Sequence, residues 1–154
     1  MFWARIDNRL IHGQIIETWL PFTGVDTLVI ANDDVANDVW RREIMAMAMP
    51  TDIRLYFVEV EDVGSFLHGK FSGAVPNAMV LFANCSDARR AYDSGLRMTT
   101  LNIGNLHFSP GKRQIAPNIA LSLDDEACLL YFEEHHITLD FRCIPSDTAQ
   151  VRLT

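Results

Sequence analysis

Ala78-Met79-Val80-Leu81-Phe82-Ala83-Asn84-Cys85-Ser86-Asp87-Ala88-Arg89-Arg90-Ala91-Tyr92-Asp93-Ser94-Gly95-Leu96 reads as one buried strand delivered straight into one helix. Met79-Val80-Leu81-Phe82 has no polar residue to turn toward water, as expected of a strand covered on both faces. Ser86 can cap a helix over residues 87–96, with Gly95 near its end. Outward from this unit the alternation repeats. Strands are predicted at residues 2–6, 27–31, 53–58, 100–103 and 137–143, with a short one near 118–121. Helices are predicted at 11–20, stopped by Pro21, and at 34–47, 60–67 and 122–134, the last opening on a near capping box at Ser122. The 34–47 helix should bury Val35, Val39, Ile44 and the methionines Met45, Met47 and Met49. Repeated β-α units imply a three-layer α/β/α domain over residues 1–154, with helices on both faces of a mostly parallel sheet of six to seven strands.

Composition narrows the function. With 49% apolar and 21% charged residues, the 154-residue chain is that of a water-facing globule. No apolar run approaches a membrane span, and Met1-Phe2-Trp3-Ala4-Arg5 is no secretory signal, so a cytoplasmic location is expected. A net charge of −7 argues against nucleic acid as a partner. Only Lys70 and Lys112 are lysines; the other basic residues are arginines, whose planar fork matches phosphate oxygens. Cys85, Cys128 and Cys143 are widely spaced and read as core residues or free thiols, not as a disulfide framework or zinc site.

In open α/β sheets ligands sit beyond the carboxyl ends of strands. Two such exits carry chemistry: Arg5-Ile6-Asp7-Asn8-Arg9-Leu10-Ile11-His12-Gly13-Gln14 after the first strand and Asn102-Ile103-Gly104-Asn105-Leu106-His107 after the fifth. His12 falls at the start of a helix, where unpaired amides and the dipole favour an anion. Arg9 and Arg5 can turn toward the same spot, Asp7 can orient one of them, and Gly13 leaves room beside the ring. Such an imidazole can act as a nucleophile toward a phosphoryl group, whose transfer needs chiefly positioning and electrostatics. It can equally be a helix-start residue packed locally, and spacing alone does not separate the two.

The string Arg5-Ile6-Asp7-Asn8-Arg9-Leu10-Ile11-His12-Gly13-Gln14-Ile15 closely resembles the active-site segment of the mannose/fructose/sorbose-family enzyme IIB proteins of the bacterial sugar phosphotransferase system. The resemblance continues at residues 31–38, at Ala48-Met49-Pro50, at Asn102-Ile103-Gly104-Asn105, at residues 121–126 and at Cys143-Ile144-Pro145, in order along nearly the whole chain. It implies that His12 is phosphorylated, that Arg9 holds the phosphoryl group, and that the last strand can run antiparallel. It also implies the partners: a phosphorylated enzyme IIA as donor, the membrane permease components IIC and IID, and a sugar acceptor, with no cofactor or metal. A rival reading is a regulatory phosphocarrier whose phosphorylation controls a protein. Asn8 stands where the family often has an acidic residue, and His135-His136 where a glycine is expected.

Around His12, Gly13, Asn102, Gly104 and His107 are assigned to the phosphate-binding rim, with Leu10, Leu106 and Phe108 as an apolar docking edge. Gly111-Lys112-Arg113 lacks the first glycine and the final Ser/Thr of a nucleotide loop, so Lys112 and Arg113 are read as steering an incoming phosphoprotein. His68, His135 and His136 have no metal spacing and read as solvated turn residues.

Overall fold

The computed structural model describes residues 1–148. Six strands form one sheet: β1 (Phe2–Asp7), β2 (Thr27–Ala31), β3 (Arg54–Val58), β4 (Ala78–Phe82), β5 (Thr100–Asn105) and β8 (Thr138–Asp140), in the order β3-β2-β4-β1-β5-β8. Every neighbouring pair is parallel, including β5 with β8. The expectation of an antiparallel last strand is thereby corrected: the chain leaves β5 at its carboxyl end, and α6 (Leu123–Glu134) carries it back to the amino end of the sheet, so β8 enters parallel. β6 (Arg113–Ala116) and β7 (Ile119–Leu121) form a separate antiparallel pair, so the short strand expected near 118–121 lies outside the main sheet.

β2 and β4 are buried at every position, the consequence of apolar runs with helices on both sides. One core layer joins Ile6, Val80 and Phe82 to α4 (Val63–Lys70), α5 (Cys85–Asp93) and α6. The other joins Leu28, Ile30, Met79 and Leu81 to Ile15, Trp19 and Leu20. No helix among the described residues is long and apolar enough to cross a membrane.

Several local expectations shift, each for a physical reason. The first helix runs past Pro21 rather than stopping there: a π-helical turn at Ile15–Trp19 leads into α1 (Leu20–Thr23), with Pro21 in its first turn. The widened turn moves the carbonyls that a proline ring would otherwise meet, and Gly24, at φ 67°, ends the helix instead. The second expected helix breaks in two, α2 (Asp33–Ala36) and α3 (Val39–Met47), because Asp38 caps a fresh start through Arg41 N–H. The restart resets the phase. Met45 and Met49 pack inward, while Val39, Trp40, Ile44 and Met47 face out, contrary to the expected burial of Val39, Ile44 and Met47. α5 begins at Cys85 because Asn84, not Ser86, supplies the cap, accepting from Asp87 N–H at 2.8 Å. Ser122 and Asp125 close the capping box of α6 reciprocally. His136 takes φ 63°, the left-handed conformation a glycine would supply.

Candidate active site

β1 is flanked by β4 and β5, the place where the chain's progression across the sheet reverses. Crevices at such switch points face the carboxyl ends of the strands. The register of β1 on β5 shifts between Ile6 and Asp7, so Asp7 lies opposite Asn105. Asn8 N–H then reaches Asn105 O (3.0 Å), and Leu10 N–H returns to Asp7 O (2.9 Å) in a tight turn. Leu10 adopts φ 56°, a strained conformation for a bulky residue and one of the kind that gathers at functional sites. The turn sends the chain to His12, whose carbonyl accepts from Ile15 and Ile16 N–H, so His12 sits immediately before the helix.

Asp7 is the hub. Its Oδ2 accepts from His12 Nε2 (2.7 Å), Arg5 Nη2 (3.0 Å) and Asn105 Nδ2 (2.9 Å), while Oδ1 accepts from Arg9 N–H (3.0 Å). Burial by itself pushes this carboxyl upward, but the bonds from His12 and Asn105 and the charge of Arg5 outweigh it and hold Asp7 below the usual carboxylate range. An ionised carboxylate only accepts, so His12 must present N–H at Nε2. That leaves the lone pair on Nδ1, which makes no hydrogen bond with the described residues. The ring's side chain is 6% exposed, and a Cβ placed on Gly13 would meet nothing within 4 Å, so the space beside it is open.

Arg5 lies beneath, 1% exposed. Burial lowers its pKa against the pull of Asp7. Its Nη1 donates to Asn102 Oδ1 (2.6 Å) and its Nη2 to Asp7, Gln14 Oε1 (2.9 Å) and Cys143 O (3.2 Å), while Trp19 lies under its plane at 5.0 Å. Arg5 is therefore committed to protein acceptors. Asn102 is buried with it, donating to Asp140 O and Arg142 O, and a Cβ on Gly104 would stand 2.0 Å from Arg5 Cζ. Neither occupies the rim expected of them; Gly104 is the gap that admits the guanidinium. Arg9, by contrast, is exposed, and its guanidinium takes no partner among the described residues. His107 is exposed, and its carbonyl accepts from Lys112 Nζ at 3.3 Å.

The apolar edge is smaller than expected. Leu10 turns inward and Leu106 is held by backbone bonds to Asn118 and Ala120, each only 3% exposed, whereas Phe108 is 60% exposed. Lys112 lies 3.9 Å from Asp125, and Arg113 Nε donates to Glu126 at 3.0 Å, so acidic neighbours offset both cations. Gln14, Asn105 and Cys143 join the site without having been singled out for it. Cys143 comes from the loop after β8, which ends at Asp140 rather than running on to residue 143. Their signal in the sequence is weak: Gln14 stands two residues after His12, and Asn105 ends the fifth strand.

A family model described as the PTS system sorbose subfamily IIB component matches residues 1–152. The chain belongs to this family. Among similar proteins, the fructose-specific EIIB component of Bacillus subtilis (strain 168) is 29% identical, the alignment covering 96% of this chain and 90% of that one. The sorbose-specific EIIB component of Klebsiella pneumoniae is 32% identical over 94% of this chain and 87% of its own. The crystal structure of the IIBSor domain of the Klebsiella pneumoniae sorbose permease superposes with a TM-score of 0.87 at 30% identity, covering 99% of this chain and 92% of that one. This IIB chain is thus a component of a sugar phosphotransferase system.

Proposed function

We propose that this IIB component accepts a phosphoryl group on Nδ1 of His12 from a phosphohistidine of an enzyme IIA protein. It then passes the group to a sugar held by the membrane permease components, IIC and IID. The observation that carries this reading is the 2.7 Å contact of Asp7 with Nε2 of His12, made by a carboxylate held ionised at the foot of the site. The Nδ1 lone pair attacks phosphorus as the bond from phosphorus to the donor's ring nitrogen breaks, and the donor leaves as an imidazole. Positive charge grows on the His12 ring as Nδ1 forms its new bond, and Asp7 stabilises it through Nε2–H. Arg9 and the first amides of the helix meet the phosphoryl oxygens. In the second step a sugar hydroxyl attacks the same phosphorus and gives up its proton to a base at the sugar site of the permease. The Nδ1–P bond breaks, its electron pair returns to Nδ1, and His12 is left neutral with Nε2–H still toward Asp7.

Similar proteins are named as specific for fructose, sorbose, mannose and N-acetylgalactosamine, which supports a hexose or amino-hexose acceptor. The chain would act on the cytoplasmic face, docking at the permease only in passing. The test is to incubate the protein with labelled phospho-IIA, then add permease membranes and sugar. Label should move from IIA to IIB and on to the sugar; label that stays on the protein with membranes and sugar present would instead favour a regulatory carrier.

A further inference from the structure

Behind Asp7 lies a closed circuit of hydrogen bonds that the transfer steps do not use. Gln14 Oε1 accepts from Arg5 Nη2 and from Asn105 Nδ2, both at 2.9 Å, and its Nε2 donates to Cys143 Sγ at 3.1 Å. The Cys143 thiol faces Asn105 Oδ1 at 3.8 Å, and Asn118 Nδ2 donates to the same sulfur. Charge sets the direction of both amides. Arg5 admits only an acceptor, so Gln14 must show it oxygen; ionised Asp7 admits only a donor, so Asn105 must show it N–H. Their far ends are then one donor and one acceptor, and a thiol can serve both.

We propose that Gln14, held by Asn105 and the thiol of Cys143, is a positioning residue that keeps Asp7 aligned on Nε2 of His12. This deepens the reading of His12 as phosphoryl acceptor and rests on it. One side-chain hydrogen bond among the described residues orients the His12 ring, the one to Asp7 Oδ2. Arg5 and Asn105 already share that oxygen. The Gln14 oxygen is the second acceptor at which both donors aim. Without it Asn105 Nδ2 is left with Oδ2 alone and Arg5 Nη2 with Oδ2 and the Cys143 carbonyl, so both press harder on the atom that fixes the ring and the Nδ1 lone pair loses its set direction.

The test combines ¹⁵N NMR of His12 with rapid-quench transfer from phospho-IIA in wild type, Gln14→Met, Cys143→Ala and Cys143→Ser. Gln14→Met should mix the His12 tautomers and slow transfer about tenfold. Cys143→Ala should move both readouts in the same direction by less, and Cys143→Ser, whose hydroxyl also donates and accepts, should lose less than Cys143→Ala. A His12 tautomer unchanged in both Gln14→Met and Cys143→Ala overturns the proposal, whatever the rates do. Phosphate found on another residue of the wild type would defeat the functional reading, while the tautomer comparison would still decide the positioning role.

Discussion

Asp7→Asn preserves the shape of the side chain and removes the charge on which the site converges. Whichever way the new amide turns, its NH₂ meets donors: Arg9 N–H on one side, or His12, Arg5 and Asn105 on the other. The buried Arg5 also loses its counter-charge, and breaking such a pair from one side costs about 3–5 kcal/mol. Against a whole-domain stability of roughly 5–15 kcal/mol that is a large fraction, to be measured by urea unfolding at low temperature. Transfer suffers separately. A hydrogen bond to a charged group contributes about 1.5–3 kcal/mol, so losing its charge from Nε2 should slow phosphoryl transfer about 10- to 150-fold. Rapid-quench transfer from phospho-IIA, run where both proteins are fully folded, reads this directly. An unchanged urea midpoint together with a rate within about threefold of wild type, ~0.65 kcal/mol, would refute the reasoning.

Arg9→Gln should slow transfer about 30- to 1000-fold, ~2–4 kcal/mol, with stability unchanged because the side chain is exposed, and Arg9→Lys should not restore it because an ammonium lacks the fork; a rate within about threefold would give the phosphate to the backbone amides. Gly104→Ala drives a methyl into the Arg5 guanidinium and should cost about 1–3 kcal/mol in thermal or urea unfolding; an unchanged midpoint would show that Arg5 relocates freely. Asp7, held below its usual value, contributes stability that is present above about pH 4 and lost as pH falls through its folded value. Urea midpoints measured from neutral pH downward should therefore fall in wild type with a component that Asp7→Asn lacks, and parallel curves would contradict this.

The sheet was legible because its strands are short apolar runs set between periodic helices, as at Met79-Val80-Leu81-Phe82. What escaped were local phase and direction. A π-helical turn lets Pro21 stay inside a helix, and the side-chain cap at Asp38 turns Ile44 and Met47 outward; apolar periodicity shows neither. At the site, His12, Asp7 and Arg5 share one short segment, and spacing brings them into view together. Spacing does not say that Arg5 points into the core; the gap at Gly104 and the carbonyl of Cys143, far along the chain, decide that. Asn105 and Gln14 were visible as residues but not as partners, since the register shift at Asp7 that joins them exists only in the assembled sheet.

The central claim is that phosphate resides on Nδ1 of His12, and locating it on the ring tests that most directly. Protein labelled with ¹⁵N-histidine, phosphorylated by IIA and observed by ³¹P and ¹⁵N NMR with mass mapping, should carry a single acid-labile phosphate on His12, bonded to Nδ1, with Nε2 still protonated toward Asp7. Phosphate on Nε2 of His12, or on His107 or any other residue, would contradict it.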